Sequence, residues 1–162
     1  MKAAQESSEP IGVSVATLTL RVFLAICVFP HGAQKLLGWF GGPGFSGMLE
    51  GFHARLGIPT SITTLVIIGE FFGSIALAMG LFTRFVGGSF IVIMLGAIFL
   101  GGPARNGFFM NYWCRQEGEG YEYNLLIIGV SLSLVILGSG KFSLQRMINK
   151  SRKTFPAIKR WH

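Results

Sequence analysis

Residues 62–100 read ITTLVIIGEFFGSIALAMGLFTRFVGGSFIVIMLGAIFL. The run from Ile62 to Phe82 is broken only by Glu70 and Arg-free, and the run from Phe85 to Leu100 has no charge at all. A helix crossing the hydrocarbon core of a bilayer needs about 20 mostly apolar residues. In lipid the backbone must satisfy its own polar groups, so helices are the expected form. Two such runs meeting at Thr83-Arg84 predict two successive spans. A transmembrane barrel would need alternating segments of about ten residues, and this stretch does not alternate.

Working outward, a third apolar run covers Ile11 to Phe29 around Arg21, and a fourth covers Leu125 to Leu137 and extends back through Tyr121. The expectation is an all-α integral membrane four-helix bundle forming a single domain, with spans at about 11–36, 60–83, 85–101 and 121–139. Between the first two spans lies the glycine-rich turn 38–44. After it, Phe45, Met48, Leu49, Phe52 and Leu56 recur at helical spacing. They predict a short helix lying in the interface. Gly57-Ile58-Pro59 ends it, and Thr60 or Ser61 is placed to cap the second span. Pro30 is expected to kink the first span. Residues 101–120 read as a longer polar loop with aromatics.

The whole chain has 162 residues, 51% hydrophobic and only 13% charged. That charge content is about half of what soluble domains carry, and the apolar content excludes disorder. The net charge of +7 is better matched to a membrane surface than to nucleic acid. Placing both termini on one side gives that side Lys2, Arg84, Lys141, Arg146, Lys150, Arg152, Lys153, Lys159 and Arg160, against Lys35, Arg55, Arg105 and Arg115 on the other. By the positive-inside rule both termini, and the basic tail 141–162, are cytoplasmic. The first span reads as a retained anchor rather than a cleaved leader, in a bacterial inner membrane.

Arg21 and Glu70 sit inside apolar runs, where an unpaired charge costs at least about 2.5 kcal/mol. Each lies ten residues from the start of its span, Ile11 or Thr60, or about 15 Å at helical rise. They are expected to meet near the midplane as a buried ion pair. Gly69, Gly73, Ala76 and Gly80 form a small-residue stripe suited to close helix packing. In the charge-free third span, Gly87, Gly88, Gly96 and Ala97 offer a surface to a partner.

A second polar group is expected at the outer mouth. His31 and Lys35 are four apart and share a helix face. His53, Glu122 and Tyr123 come from neighbouring segments. Trp39, Tyr112 and Trp113 fit an interfacial aromatic belt. A quinone head group could hydrogen-bond to His31, Lys35, Glu122 and Tyr123. With no HxxxH and no CxxC, no metal is expected. Cys27 and Cys114 read as independent thiols. No phosphate-binding loop is present, because Gly41-Gly42-Pro43-Gly44 lacks the following Lys-Ser/Thr.

The order of Arg21, His31-Gly32 with Lys35, Gly57-Ile58-Pro59, Glu70 with Gly73, Gly80-Leu81 with Thr83-Arg84, Met94, Glu122 with Asn124, and Gly138-Ser139-Gly140 before Ser143 resembles the DoxX family of small four-span membrane proteins. Gln145 stands where many relatives carry an acid. The resemblance implies an accessory, non-catalytic membrane subunit beside a larger redox complex. The alternative it implies is a quinone-interacting subunit of the thiosulfate:quinone oxidoreductase type, with Lys35, Arg105 or Arg115 suited to the anion. The implied partners are the lipid bilayer and other membrane or redox proteins.

Overall fold

The computed structural model describes residues 10–114 and 118–154. Expectations resting on Lys2, Arg115, Lys159 and Arg160, and on the side chains of Arg152 and Lys153, fall outside what is described. The described chain is helical. Helix α1 spans Ile11–Leu37, α2 Gly44–Leu56, α3 Thr60–Met79, α4 Thr83–Leu100, the short α5 Pro103–Asn106, α6 Glu122–Leu137 and α7 Leu144–Thr154. Three of them, α1, α3 and α4, are long and apolar enough to cross a membrane, and α6 is a shorter apolar helix.

Helix α1 runs unbroken through Pro30 and stops at Gly38, whose φ of 73° is left-handed. A 3-10 turn at Trp39–Gly41 leads into α2. That helix closes with Gly57 donating to the His53 carbonyl and Ile58 donating to the Phe52 carbonyl. Pro59 then starts α3, and no side chain caps it. Thr60 is therefore inside the helix rather than its cap. The threonine hydroxyls turn back instead: Thr63 donates to the Pro59 carbonyl at 3.3 Å and Thr64 to the Thr60 carbonyl at 2.8 Å.

The helices pack as two close antiparallel pairs, α1 with α3 and α4 with α6, joined mainly through α3 and α4. Small residues set these approaches, as close packing in lipid requires. A Cβ on Gly32 would stand 2.6 Å from the Phe71 backbone nitrogen. On Gly73 it would stand 3.3 Å from Phe90 and Val86. On Gly87 it would stand 3.0 Å from the Ser131 carbonyl, so Gly87 serves the α4–α6 contact rather than an outside partner. Gly88 and Gly96 face open space. The core holds Leu24, Val28, Leu77, Val86, Phe90, Met94, Ile127 and Leu134. Large apolar side chains point outward along the same helices, among them Leu65 at 69%, Phe85 at 77% and Val92 at 70% exposure. Such a surface is explained by lipid as its solvent.

The bundle has two unlike ends. The mouth end holds the C-terminus of α1, α2, the start of α3, the end of α4 and the start of α6. There, Tyr121 donates to the Gly107 carbonyl and Glu122 to the Phe108 carbonyl, tying the segment before α6 to the one after α5. The tail end holds the start of α1, the α3–α4 turn, the end of α6 and α7. In α7, Leu144, Met147 and Ile148 form an exposed apolar stripe at the spacing of an amphipathic helix.

Candidate functional site

The charges inside the bundle do not pair as their sequence depths suggest. Glu70, 3% exposed, forms its salt bridge with Lys35, whose side chain is 18% exposed. Arg21, fully buried, donates to the carbonyls of Ser139 at 2.9 Å and Phe142 at 2.5 Å. The expected Arg21–Glu70 pair is thus replaced by two separate arrangements at opposite ends. The cause is stagger. Gly32 lies against Glu70 and Phe71, while Gly80 lies against the Arg21 guanidinium. Eleven residues of α1 separate these levels, or about 16 Å along the axis. Helix α1 has 27 residues, about 40 Å of rise, more than the hydrocarbon core. Its first residue therefore does not mark the surface from which depth can be counted.

At the mouth end, α1 brings Lys35 and His31 onto one side, and α3 supplies Glu70. The Tyr123 ring of α6 stands 5.8 Å from the His31 ring, centroid to centroid. The Tyr123 hydroxyl donates to the Cys27 carbonyl at 3.2 Å. Four of the singled-out residues, His31, Lys35, Glu70 and Tyr123, thus converge where α1, α3 and α6 meet. His31 is exposed on α1. Glu122 is placed differently. It accepts from the Met110 backbone N–H at 3.3 Å and so organises the loop rather than joining Lys35. His53 is exposed on α2, and its carbonyl takes part in the turn at Gly57. Cys27 and Cys114 are free thiols, both exposed. Among the described residues, no three His, Cys, Asp or Glu side chains gather in metal-holding range.

At the tail end, Arg21 lies where α3 ends at Gly80 and α6 ends at Gly138. Helix C-termini carry partial negative charge and unsatisfied carbonyls. A guanidinium, which presents five donors in a fixed fork, can be compensated there without a carboxylate. Its Nε, like the Ser14 and Thr83 hydroxyls, is buried without a partner. Arg84 acts in the same way on the outside, donating to the Ile136 carbonyl at 3.2 Å. The sequence signal for this site was the glycine turn at 138–140, which exposes carbonyls after α6.

A third polar feature is a cleft of about 380 Å³ at the mouth end, between the end of α2 and the segment that closes α4. It is lined by Arg55, Leu56, Phe99, Leu100, Gly101, Gly102 and Arg105. Sequence spacing alone did not bring Arg55 to Arg105, fifty positions away.

The family model described as DoxX matches residues 16–103. The chain is 29% identical over 139 residues to the Bacillus subtilis (strain 168) protein named "Putative oxidoreductase CatD", covering 86% of this chain and 91% of that one. It is also 29% identical over 145 residues to the Escherichia coli (strain K12) protein named "Inner membrane protein YqjF", covering 88% of this chain and 95% of that one. No solved structure matches the chain.

Proposed function

The chain belongs to the DoxX family, and from that membership we propose that it is a membrane subunit of a redox system that holds a quinone head group at the mouth end for a partner protein that supplies electrons. The observation that carries this reading is the convergence of Lys35, Glu70, His31 and Tyr123 on three different helices. A quinone takes up two electrons and two protons on reduction, and its carbonyls accept hydrogen bonds. Lys35 supplies N–H donors beside a carboxylate that can exchange protons with it. His31, exposed on α1, can donate to an oxygen or relay a proton from the interface. Tyr123 offers its ring as a stacking wall, while its hydroxyl stays tied to the Cys27 carbonyl. Because His31 is exposed on an apolar helix long enough to cross the membrane, this reading has the quinone enter from the bilayer. The name of the Bacillus subtilis relative is consistent with redox work, and that of the Escherichia coli relative with the inner membrane as the location.

The test is quinone extraction from the full chain purified in mild detergent. The expected result is near-stoichiometric quinone in the wild type and a large loss in Lys35→Gln and His31→Gln, with co-purifying redox proteins retained. Quinone no higher than its partition into the same detergent with an unrelated membrane protein would refute the reading.

A second, accessory reading is favoured by a different surface. Phe109 at 67%, Tyr112 at 74% and Trp113 at 80% exposure crowd one loop of the mouth end. Such aromatic groups anchor at interfaces of lipid or protein. In this reading the chain is a non-catalytic subunit that docks a larger complex through that loop. Loss of co-purifying proteins in Trp113→Ala, with quinone content unchanged, would favour it.

A further inference from the structure

We propose that the cleft between Arg55 and Arg105 is a binding site for the phosphate of an anionic phospholipid in the leaflet at the mouth end. Three independent features converge on it.

The first is charge. Two arginines from segments distant in sequence, Arg55 and Arg105, line one cleft. Among the described residues neither takes part in an ion pair with a carboxylate. Guanidinium groups are well suited to phosphate oxygens, which they can bind through paired N–H donors.

The second is height. Leu100 is the last residue of α4, and Gly101, Gly102 and the Arg105 turn follow at once. Helix α2 ends at Leu56, just before Gly57. The cleft therefore lies at the edge of the apolar zone, where headgroups begin.

The third is the wall. Phe99 is 74% exposed, Leu100 59% and Leu56 38%. Phe99 and Leu100 continue the outward apolar face of α4, and Leu56 adds the end of α2. A free oxyanion has no use for such a wall, whereas an acyl chain attached to the phosphate can lie along it. The volume of about 380 Å³ is within the range of small-molecule sites, roughly 300–1,000 Å³. The site is separate from the Lys35–Glu70 cluster, so it does not depend on the quinone reading.

The experiment is native mass spectrometry of the full chain in detergent, with phosphatidylglycerol or phosphatidylcholine of identical acyl chains added. The wild type should retain phosphatidylglycerol over phosphatidylcholine by about thirtyfold, the factor that two cations at a charged headgroup supply. Arg55→Gln/Arg105→Gln should lose most of that preference, while Lys141→Gln/Lys150→Gln at the other end should keep it. Millimolar inorganic phosphate should leave the bound lipid in place. An unchanged preference in Arg55→Gln/Arg105→Gln overturns the proposal. Displacement by inorganic phosphate overturns the lipid as the source and assigns the cleft to a free oxyanion. A second readout uses the wild type alone: amide exchange across residues 100–106 should slow with phosphatidylglycerol and not with phosphatidylcholine. Equal exchange in both lipids would also overturn it.

Discussion

Lys35 and Glu70 are unequal partners, and the inequality is testable. Glu70 is 3% exposed, while the Lys35 side chain keeps 18%. Removing one member of a buried pair typically costs about 3–5 kcal/mol, because the other charge stays uncompensated. Lys35 retains a route toward the headgroups by extending its stem, so Glu70→Gln should fall at or below the low end of that range. Lys35→Met strands the deeper carboxylate and should cost more. Thermal unfolding in one detergent should rank the variants in that order, with the double variant losing less than the sum of the singles. Additive losses would mean that the two groups do not interact. Arg21 leads to a different expectation. Its partners are the carbonyls of Ser139 and Phe142, which lose a charge-assisted donor in Arg21→Gln. Unsatisfied part-buried groups of this kind cost about 1–3 kcal/mol each. Amide exchange should accelerate across residues 138–143 in Arg21→Gln, with little change at the mouth end. Exchange that rises equally everywhere would contradict this local role.

Among the elements, the contact of α1 with α3 depends on one missing side chain. Gly32→Ala would place a Cβ 2.6 Å from the Phe71 nitrogen, a backbone atom with no rotamer to escape by. The helices must separate, and overpacking of this sort costs about 1–3 kcal/mol or more. The same substitution at Gly88 meets nothing within 4 Å. In a helix interior, exchanging Gly for Ala there should be neutral or stabilising by about 0.4–1 kcal/mol. The pair of melting temperatures, Gly32→Ala well below wild type and Gly88→Ala at or above it, checks the packing. If Gly32→Ala also separates Lys35 from Glu70, quinone content should fall with it. The glycine stripe read in the sequence on α3 did mark a packing face, as Gly73 against Phe90 and Val86 shows. The glycine of α1 that makes the closest approach was not singled out for packing, because one Gly beside a histidine has no repeat to reveal it.

For the whole molecule, the orientation in the membrane follows from the distribution of Lys and Arg. The tail end carries Arg84, Lys141, Arg146 and Lys150, and the mouth end carries Lys35, Arg55 and Arg105. With the remaining tail cations counted, the tail end is the more basic and should face the cytoplasm. A phosphatase reporter fused after His162, which is active only outside the cytoplasm, should be inactive, and a reporter inserted within residues 101–120 should be active. The opposite pattern would reverse the orientation and place the mouth cluster in the cytoplasmic leaflet.

Apolar runs near 20 residues, the spacing of Phe45 to Leu56 and the breaks at Gly57-Ile58-Pro59 and Gly80 were enough to establish a helical membrane bundle. These are local properties: run length, period and glycine or proline stops act within a few residues of where they are written. That Arg21 and Glu70 would both need a partner was equally legible, since the cost of a charge in lipid does not depend on the fold. Which partner each takes was not. That depends on the axial stagger between α1 and α3, and a shift of about three turns changes every cross-helix neighbour while leaving each helix's own pattern intact. The stagger is set by the Gly38–Pro59 connection and by the seat of Gly32 on Phe71, so only the tertiary structure gave Glu70 to Lys35, Arg21 to the carbonyls after α6, and Arg55 to the same cleft as Arg105.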